Sequence, residues 1–267
     1  MGDWPFWDGG RRVMEVHEVE LTPGTPNSNQ KGAWTQLAAS LTADLDWLLV
    51  TVQNSYSAMV DLGMGAAGAE VVMLPDLWAL GISGVMPALF PVYVFPVSWP
   101  VGTRMAARAA AEAGNPTVSV FGVSGGFSGF PPFSGGLIQT LGAVTSASGG
   151  GGTSLRFGSA PAWTELIAAT SAPIRYLVMQ MRRHPSQVVT VTGYPEIAVG
   201  AAGAEQLVFR GPRAKFQLGD ASIYGPPPTV GPVPLSIPSG SRVAARLIST
   251  TVDETSSRPR LLLYGGR

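Results

Sequence analysis

The strongest candidate for a nucleophile is Ser124, which lies in the string GVSGG at positions 122–126. This string matches the G-x-S-x-G elbow of serine hydrolases, in which a sharp strand-to-helix turn exposes the serine hydroxyl. Glu165 and His184 follow in an order that a catalytic triad permits. A Gly-rich segment follows Ser124, however, where the elbow requires a helix. The sequence therefore predicts no hydrolase and no catalytic residue.

A second string with chemical potential is GMGAAG at positions 63–68, which matches the dinucleotide fingerprint G-x-G-x-x-G. That chemistry needs a helix N-terminus for the pyrophosphate and an acidic residue about 20 positions further on. A strand-like run from Glu70 to Leu74 follows instead, and no acid lies near position 88. We expect a tight turn that uses glycine at positive φ. With two histidines and no cysteine, the sequence also predicts no metal site and no cofactor.

An internal repeat is the most informative feature of the chain. The string AWTQL at 33–37 returns as AWTEL at 162–166, and GAAGAE at 65–70 returns unchanged at 200–205. Further on, PVGTRMAAR at 100–108 returns as PSGSRVAAR at 238–246. The order of the matches is kept, and the spacing grows only by short insertions. We therefore predict two tandem copies of one domain, called repeat 1 and repeat 2 below.

Three charged positions are shared by the two repeats: Glu70 and Glu205, Arg104 and Arg242, Arg108 and Arg246. Residues two or four apart on a strand face the same side of a sheet, so both arginines of a repeat can approach the shared glutamate. We expect Glu70 to pair with one of its two arginines in partly buried, bidentate geometry, and Glu205 to pair with the equivalent arginine. The alternative is a ligand site that occurs once in each repeat.

Trp34 and Trp163 form another shared pair. An aromatic face suits a carbohydrate, but both residues occupy the same early point of the repeat, which favours a role in anchoring the core. For a buried tryptophan, Trp34→Ala would cost about 3–5 kcal/mol.

Three aromatic residues near the N-terminus, Trp4, Phe6 and Trp7, have no counterpart in repeat 2. Exposed aromatic side chains are enriched at interfaces, so this arm is a candidate anchor for a partner protein. The alternative is that the arm folds back on repeat 1. The opening residues lack the basic and apolar segments of a signal peptide.

Short apolar runs separated by Gly and Pro indicate strands, for example at 47–52, 118–121 and 176–181. A run at 70–74 is expected to end at Pro75. The predicted fold class is all-β, with two tandem copies of a β-sandwich or jelly-roll-like domain. The predicted divisions are an arm at 1–11, repeat 1 at 12–123, a Gly/Ser/Pro linker at 124–135 and repeat 2 at 136–267. The glycines at 149–152 are expected to form an exposed loop.

The composition limits the partners of the chain. Charged residues make up 13% of the sequence, about half of what is typical of soluble domains, so other subunits are expected to cover much of the surface. A net charge of zero gives no electrostatic basis for binding nucleic acid or an anionic membrane. The uncharged segment 77–101 is long enough to cross a bilayer, but its four prolines and its charged twin argue against membrane insertion. We expect a neighbouring subunit to cover it.

Three strings carry a resemblance to known proteins: KGAWTQL at 31–37, DLGMGAAGAEVV at 61–72 and FPVSWPVGTR at 95–104. With them the chain resembles virion structural proteins of tailed bacteriophages and of phage-like gene transfer agents. The resemblance implies a spike, fibre or decoration subunit on the particle surface, which acts in assembly and attachment to the host. It implies other virion proteins as partners, a homo-oligomer with a trimer favoured, and a host-surface glycan as a further ligand. It implies no active-site residue.

A lectin-like tandem module that binds carbohydrate is the alternative function. Matched polar and aromatic loops would be expected in its two repeats. Instead, the loop at 77–91 is apolar, whereas its twin at 210–228 is basic and rich in proline. Divergent loops on a repeated scaffold indicate different neighbours for each repeat, which favours assembly.

Overall fold

The computed structural model describes most of the chain, in these segments: 12–25, 30–54, 57–81, 92–124, 138–144, 151–182, 191–216, 229–250 and 258–267. The predicted arm with Trp4, Phe6 and Trp7 lies outside the described residues, as does the predicted linker apart from Ser124.

The described residues form strands and no helix, so the all-β prediction is confirmed. The strands of repeat 1 are β1 (Arg12–Glu20), β2 (Thr35–Ala38), β3 (Leu45–Asn54), β4 (Ala58–Met64), β5 (Val71–Gly81), β6 (Val92–Trp99), β7 (Met105–Ala111) and β8 (Thr117–Ser124). The strands of repeat 2 are β9 (Gln139–Leu141), β10 (Ala143–Val144), β11 (Gly151–Ser154), β12 (Phe157–Gly158), β13 (Thr164–Ile167), β14 (Ile174–Arg182), β15 (Val191–Val199), β16 (Gln206–Arg210), β17 (Ala214–Phe216), β18 (Thr229–Ile237), β19 (Val243–Ser249) and β20 (Arg260–Gly266).

Apart from a short parallel pairing of β3 with β5, which joins the two groups of strands in repeat 1, both repeats pair their described strands in the same order. In repeat 1 the neighbours are β1-β8-β3-β6 and β2-β7-β4-β5, and in repeat 2 they are β11-β20-β14-β18 and β13-β19-β15-β16. Loop hydrogen bonds also recur: the Leu41 N–H donates to Thr103 O, and the Thr170 N–H donates to Ser241 O, both at 2.9 Å. The repeat seen in the sequence is therefore also present in the hydrogen bonding. The residue boundaries of the two domains remain a prediction.

A closely packed core lies between the two groups of strands in repeat 1. Leu48 and Val50 of β3 face Val60 and Leu62 of β4, and all four are fully buried. The shared glycine of β8 has a packing reason, because a Cβ on Gly122 would lie 2.6 Å from the Leu45 side chain. In repeat 2 a Cβ on the equivalent Gly265 would lie 2.7 Å from Ile174, so the same contact selects glycine twice.

The expectation that Pro75 ends its strand was wrong. β5 continues to Gly81, and the register skips a residue at this point, so that Pro75 and Asp76 together lie opposite Asp61. A bulge of this kind accepts proline because the extra residues leave the hydrogen-bonded ladder. Asp76 adopts φ 55°, a left-handed conformation that Asp tolerates better than most residues.

The expectation of an exposed glycine loop at 149–152 was also wrong for its described half. Gly151 and Gly152 are buried and begin β11, which pairs with β20. Their position corresponds to the end of β1, because the Leu155 N–H donates to Pro259 O just as the Leu21 N–H donates to Pro116 O. A Cβ on Gly152 would lie 2.4 Å from Leu261 O, so this close approach of two strands requires glycine.

Strand β14 contributes side chains to two cores. Leu177 and Met179 point into the core of repeat 2, whereas Tyr176 and Val178 belong to the same apolar cluster as the core of repeat 1. Strand β20 alternates in the same way, since Leu262 also faces repeat 1. The sheet of repeat 2 is therefore buried on both faces, and one of those faces packs against repeat 1.

Aromatic residues fill the contact between the repeats. The ring of Tyr264 stands edge-on to Tyr93 and Phe95, with centroids 5.6 and 5.7 Å apart. The Tyr264 hydroxyl donates to Asp76 O at 3.0 Å and accepts the Trp78 N–H at 3.1 Å. The expectation that a neighbouring subunit covers the segment 77–101 therefore needs correction for its described part, because repeat 2 of the same chain covers Trp78, Tyr93 and Phe95. Residues 82–91 of this segment lie outside the described residues.

Polar groups in this contact have partners inside the chain. The fully buried Gln180 contacts the Tyr93 hydroxyl and donates to Trp78 O at 3.3 Å. The Tyr176 hydroxyl donates to Pro96 O at 3.0 Å, and burial raises the pKa of Tyr176 above its ordinary value. Buried polar groups that are hydrogen-bonded in this way fix one relative orientation of the packed surfaces.

Candidate functional site

The densest group of ionisable side chains in repeat 1 surrounds Asp61 of β4 and is called the Asp61 cluster. Asp61 Oδ2 accepts from Arg108 Nε at 2.9 Å. Asp61 Oδ1 accepts from Lys31 Nζ at 2.9 Å and from the Asp76 N–H at 3.0 Å. The guanidinium of Arg108 lies 4.5 Å from the ring centroid of Trp34. Strand pairing positions the central pair, because Asp61 lies directly opposite Arg108 on β7.

Repeat 2 carries an equivalent group around Glu196 of β15, called the Glu196 cluster. Glu196 Oε2 accepts from Arg246 Nε at 2.9 Å, and Arg246 lies 4.2 Å above the ring of Trp163. Glu196 Oε1 accepts from Arg210 Nε at 3.0 Å. Arg210 in turn lies 4.8 Å from the ring of Tyr194.

The two clusters share a plan but differ in the source of one cation. In both, an acid on β4 or its counterpart β15 pairs with an arginine that covers a tryptophan. The second cation is Lys31, from the segment before β2, in repeat 1, and Arg210, from β16, in repeat 2. The acids are almost fully buried, with side-chain exposures of 6% for Asp61 and 3% for Glu196. Lys31 and Arg210 come from unrelated positions, yet each pairs with the buried carboxylate of its own repeat. This is expected when a buried charge must be paired.

The predicted ion pair of Glu70 forms with Arg104, at 2.7 Å, and that of Glu205 forms with Arg242, at 3.1 Å. The expected bidentate geometry was wrong, because each arginine donates one hydrogen bond to its glutamate and uses Nε to bind Gln36 or Glu165. Arg108 and Arg246, the other shared arginines, pair instead with Asp61 and Glu196. Each shared glutamate lies beside the turn that follows β4 or β15.

Each shared glutamate also fixes the backbone of its turn. Glu70 Oε2 accepts the Gly68 N–H at 2.9 Å, while Arg104 donates to Gly65 O at 3.3 Å. Gly65 and Gly68 have φ values of 121° and 83°, so the string GMGAAG is a glycine-dependent turn, as expected. The turn in repeat 2 has the same hydrogen bonds and the same glycine conformations.

These turns predict a loss of stability in acid. Burial acts to raise the pKa of Glu70, but hydrogen bonds from its own N–H, Arg104 and Gly68 outweigh that effect and lower it. The pKa of Glu205 is lowered mainly by its own backbone N–H, and also by Arg242 and Gly203. Because the folded pKa values are lowered, the stabilisation is complete above the ordinary pKa of 4.5 and is lost as the pH falls through the folded values.

The double variant Glu70→Gln and Glu205→Gln should therefore depend less on pH below about 4.5 than the wild type, as measured by urea unfolding across that range. Glu20→Gln, a change of an exposed strand residue, is the control. An acid limb that is identical in the double variant and the wild type would contradict this assignment.

The expectation that Trp34 and Trp163 anchor the core was wrong. Both side chains are half-buried and neither belongs to an apolar core cluster. Trp34 lies on the outer side of β4 and β7, where its ring is so close to Gly63 that a Cβ there would lie 2.7 Å from it. The repeat revealed that the position matters, but it carried no information about which side of the sheet the ring covers.

Trp34→Ala should consequently cost about 1–2 kcal/mol, since only part of the ring leaves water and the cation–π contact adds a modest amount. Trp163→Ala should have a similar effect, because its contact with Arg246 is equivalent. Urea unfolding of both variants checks this, and a loss of 3 kcal/mol or more for either would restore the core-anchor interpretation.

The candidate catalytic residues are not brought together in the described part of the chain. Ser124 ends β8 and pairs with Arg12 on β1, and the segment that follows it lies outside the described residues. Glu165 is engaged by Arg242 at 2.7 Å, and His184 lies outside the described residues. Among those residues, no group of three or more His, Asp or Glu side chains is arranged to hold a metal ion.

The geometry of the clusters is suited to holding strands together. Both oxygens of Asp61 and both of Glu196 accept hydrogen bonds from side chains or backbone of the same repeat, and both oxygens of Glu70 are engaged too. A general base needs a lone pair directed at a substrate, and a ligand site needs donors directed outward. In these clusters the donors and acceptors are directed at one another.

Asp61 and Glu196 were not singled out from the sequence, although a signal was present. They are separated by 135 positions, the same spacing that separates Glu70 from Glu205. Because one is Asp and the other Glu, identity matching passed over them. Matching by charge would have found them.

A scan against protein-family models found no match, and a search of curated proteins found no significant relative. The described residues contain no helix with the length and hydropathy needed to span a membrane.

Proposed function

We infer that the chain is a non-catalytic structural subunit of a phage or phage-like particle, where it acts in assembly as a rigid two-repeat block. The observation that carries this proposal is the shared core: Tyr176, Val178, Leu262 and Tyr264 of repeat 2 belong to the apolar cluster of repeat 1. A block whose repeats cannot swing apart presents fixed surfaces to its neighbours, which is what a repeated particle lattice requires.

The charge distribution supports the same role. Charged residues make up only 13% of the sequence, and at least twelve of those in the described part of the chain form internal ion pairs. Apolar side chains such as Val16 on β1 and Leu207 on β16 are instead exposed, at 58% and 49%. Exposed apolar residues near strand edges suit contacts with other subunits. The assignment to a virion rests on the three sequence strings that resemble virion structural proteins.

The test is to purify extracellular particles from the cells that encode the chain, on a density gradient, and to quantify the chain by mass spectrometry. We expect it to comigrate with the major particle proteins at a fixed ratio. Recovery of the chain only in the soluble fraction, with none in the particle fractions, would overturn the proposal.

Carbohydrate binding is the second candidate function, and one observation favours it. Trp34 and Trp163 are half-exposed at equivalent places, each beside an arginine and a carboxylate. Such a pairing of an aromatic face with polar groups is found in sugar sites. Quenching of tryptophan fluorescence by oligosaccharides, lost in the Trp34→Phe and Trp163→Phe double variant, would support it. An unchanged spectrum across a panel of bacterial surface glycans would exclude this function for the two tryptophans.

A further inference from the structure

Repeat 2 covers a place in repeat 1 that would otherwise be open. At this end of repeat 1, between β5 and β6, Trp78, Tyr93 and Phe95 are at most 3% exposed. They are covered by the outer face of β14 and β20, where Tyr264 makes two hydrogen bonds to β5 and packs against the rings of Tyr93 and Phe95.

The equivalent end of repeat 2 has no such cover among the described residues. The strand pairings make Arg213, Val230 and Val233 the equivalents of Trp78, Tyr93 and Phe95. Arg213 is exposed, and Val230 and Val233 are only half-buried, whereas their three counterparts in repeat 1 are buried. We call these three residues the open end of repeat 2.

Repeat 1 has an apolar face that could pack against the open end of repeat 2. Cross-strand pairing places Val16, Phe121, Leu49 and Val94 in one row on the outer side of β1, β8, β3 and β6. Residues directly opposite one another on neighbouring strands lie on the same side of a sheet. All four are apolar, and we call the row the outer face of repeat 1.

This face is the counterpart of the one that repeat 2 uses against repeat 1. By register, Phe121 is equivalent to Tyr264 and Leu49 to Val178, both of which lie in the contact between the repeats. The contact between repeat 2 and repeat 1 inside the chain therefore indicates how the outer face of repeat 1 could pack against repeat 2 of another chain.

Charge complementarity points to the same pairing. Inside the chain, Thr140 of β9 donates to Pro75 O at 3.2 Å. The equivalent of Thr140 is Val16, and the equivalent of Pro75 is Arg210. A second contact of the same form would bring β1, with its exposed Glu18 and Glu20, to the side of repeat 2 that carries Arg210 and the exposed Arg213.

We propose that the outer face of repeat 1 docks on the open end of repeat 2 of a second copy of this chain, so that chains associate head to tail. The contact is heterologous, since the two surfaces differ, and it generates a ring if the rotation closes and a filament if it does not. This inference deepens the proposed assembly role by naming the surfaces through which copies of the chain meet.

Cysteine cross-linking gives a sharp test because the chain contains no cysteine. Val16→Cys and Arg213→Cys are made in separate chains, which are treated with a short bis-maleimide alone and as an equimolar mixture. The mixture should give a covalent dimer, while each variant alone should remain monomeric on a denaturing gel. Val144→Cys, at an exposed apolar position outside both surfaces, is the control partner for each.

Two results would overturn the proposal: cross-linking of Val16→Cys with itself, which indicates a face-to-face dimer, or a yield from the mixture no higher than with Val144→Cys. A chain with both cysteines should give a ladder that stops at the number of subunits in a closed ring. That number is three if the favoured trimer forms.

Charge reversal supplies an independent readout on the intact protein. Glu18→Lys and Arg213→Glu should each weaken self-association in sedimentation velocity by about tenfold, because like charges then face each other, and the two combined in one chain should restore it. Equal association of all four proteins would overturn the proposed pairing. Recovery of the chain in particles without self-association would overturn the head-to-tail contact alone, and self-association without recovery in particles would overturn the virion role alone.

Discussion

Tyr264→Ala is expected to lower the free energy of unfolding by about 3–5 kcal/mol, the range for removing a buried aromatic ring from a core. The ring is fully buried between Tyr93 and Phe95, and its removal leaves a cavity at the centre of the contact between the repeats. The hydroxyl adds to the loss, because Asp76 O and the Trp78 N–H both lose a partner. Urea unfolding, followed by tryptophan fluorescence and circular dichroism together, measures the loss.

Two further variants separate the causes of this effect. Tyr264→Phe keeps the ring and removes only the two hydrogen bonds, which should cost about 1–3 kcal/mol. Phe121→Ala changes the equivalent position of repeat 1, where the ring is half-buried, and should cost less than Tyr264→Ala. An equal loss for Tyr264→Ala and Phe121→Ala would contradict the burial of Tyr264 in a shared core.

Asp61→Ala has the second-largest expected effect, about 2–4 kcal/mol. Removing one partner of a buried ion pair costs about 3–5 kcal/mol because the other charge stays behind, and the partial exposure of Arg108 and Lys31 reduces this figure. The loss also frees the Asp76 N–H at a residue that adopts a left-handed conformation. Asp76 is in addition the residue to which Tyr264 donates, so the Asp61 cluster and the contact between the repeats meet at the β5 bulge.

The matched control is Asp44→Ala, which removes an exposed aspartate that accepts one backbone hydrogen bond, from the Val101 N–H. It should cost about 1 kcal/mol or less. Glu196→Ala should cost about as much as Asp61→Ala, because it removes the carboxylate with which both Arg246 and Arg210 pair. A loss for Asp61→Ala no larger than that for Asp44→Ala would show that the cluster contributes little to stability.

Much of the fold could be predicted from the sequence, because residues that recur in both repeats are those that the shared fold requires. The pairing of Glu70 with an arginine followed from charges shared at equal spacing, and the turn at 63–68 followed from the glycines that its φ values require. Strands β3, β8 and β14 all form where apolar runs indicated them.

The errors arose where contacts distant in sequence decide the outcome. Pro75 is accommodated by a bulge opposite Asp61, and only the pairing of β4 with β5 reveals it. The half-buried position of Trp34 depends on Arg108, which is more than 70 positions away. The run at 176–181, apolar except for Gln180, did carry one unused signal, since a strand that is apolar on both faces is typical of burial between two layers.

The central claim is that repeat 1 and repeat 2 form one body through a shared core, and differential scanning calorimetry of the full chain tests it most directly. A single transition, in which the calorimetric enthalpy equals the van't Hoff enthalpy, is the predicted result. Unfolding of repeat 2 removes side chains from the core of repeat 1, and unfolding of repeat 1 exposes the apolar outer face of β14 and β20. Two separable transitions, with a fitted van't Hoff enthalpy about half the total calorimetric value, would contradict the claim and indicate two repeats that fold independently.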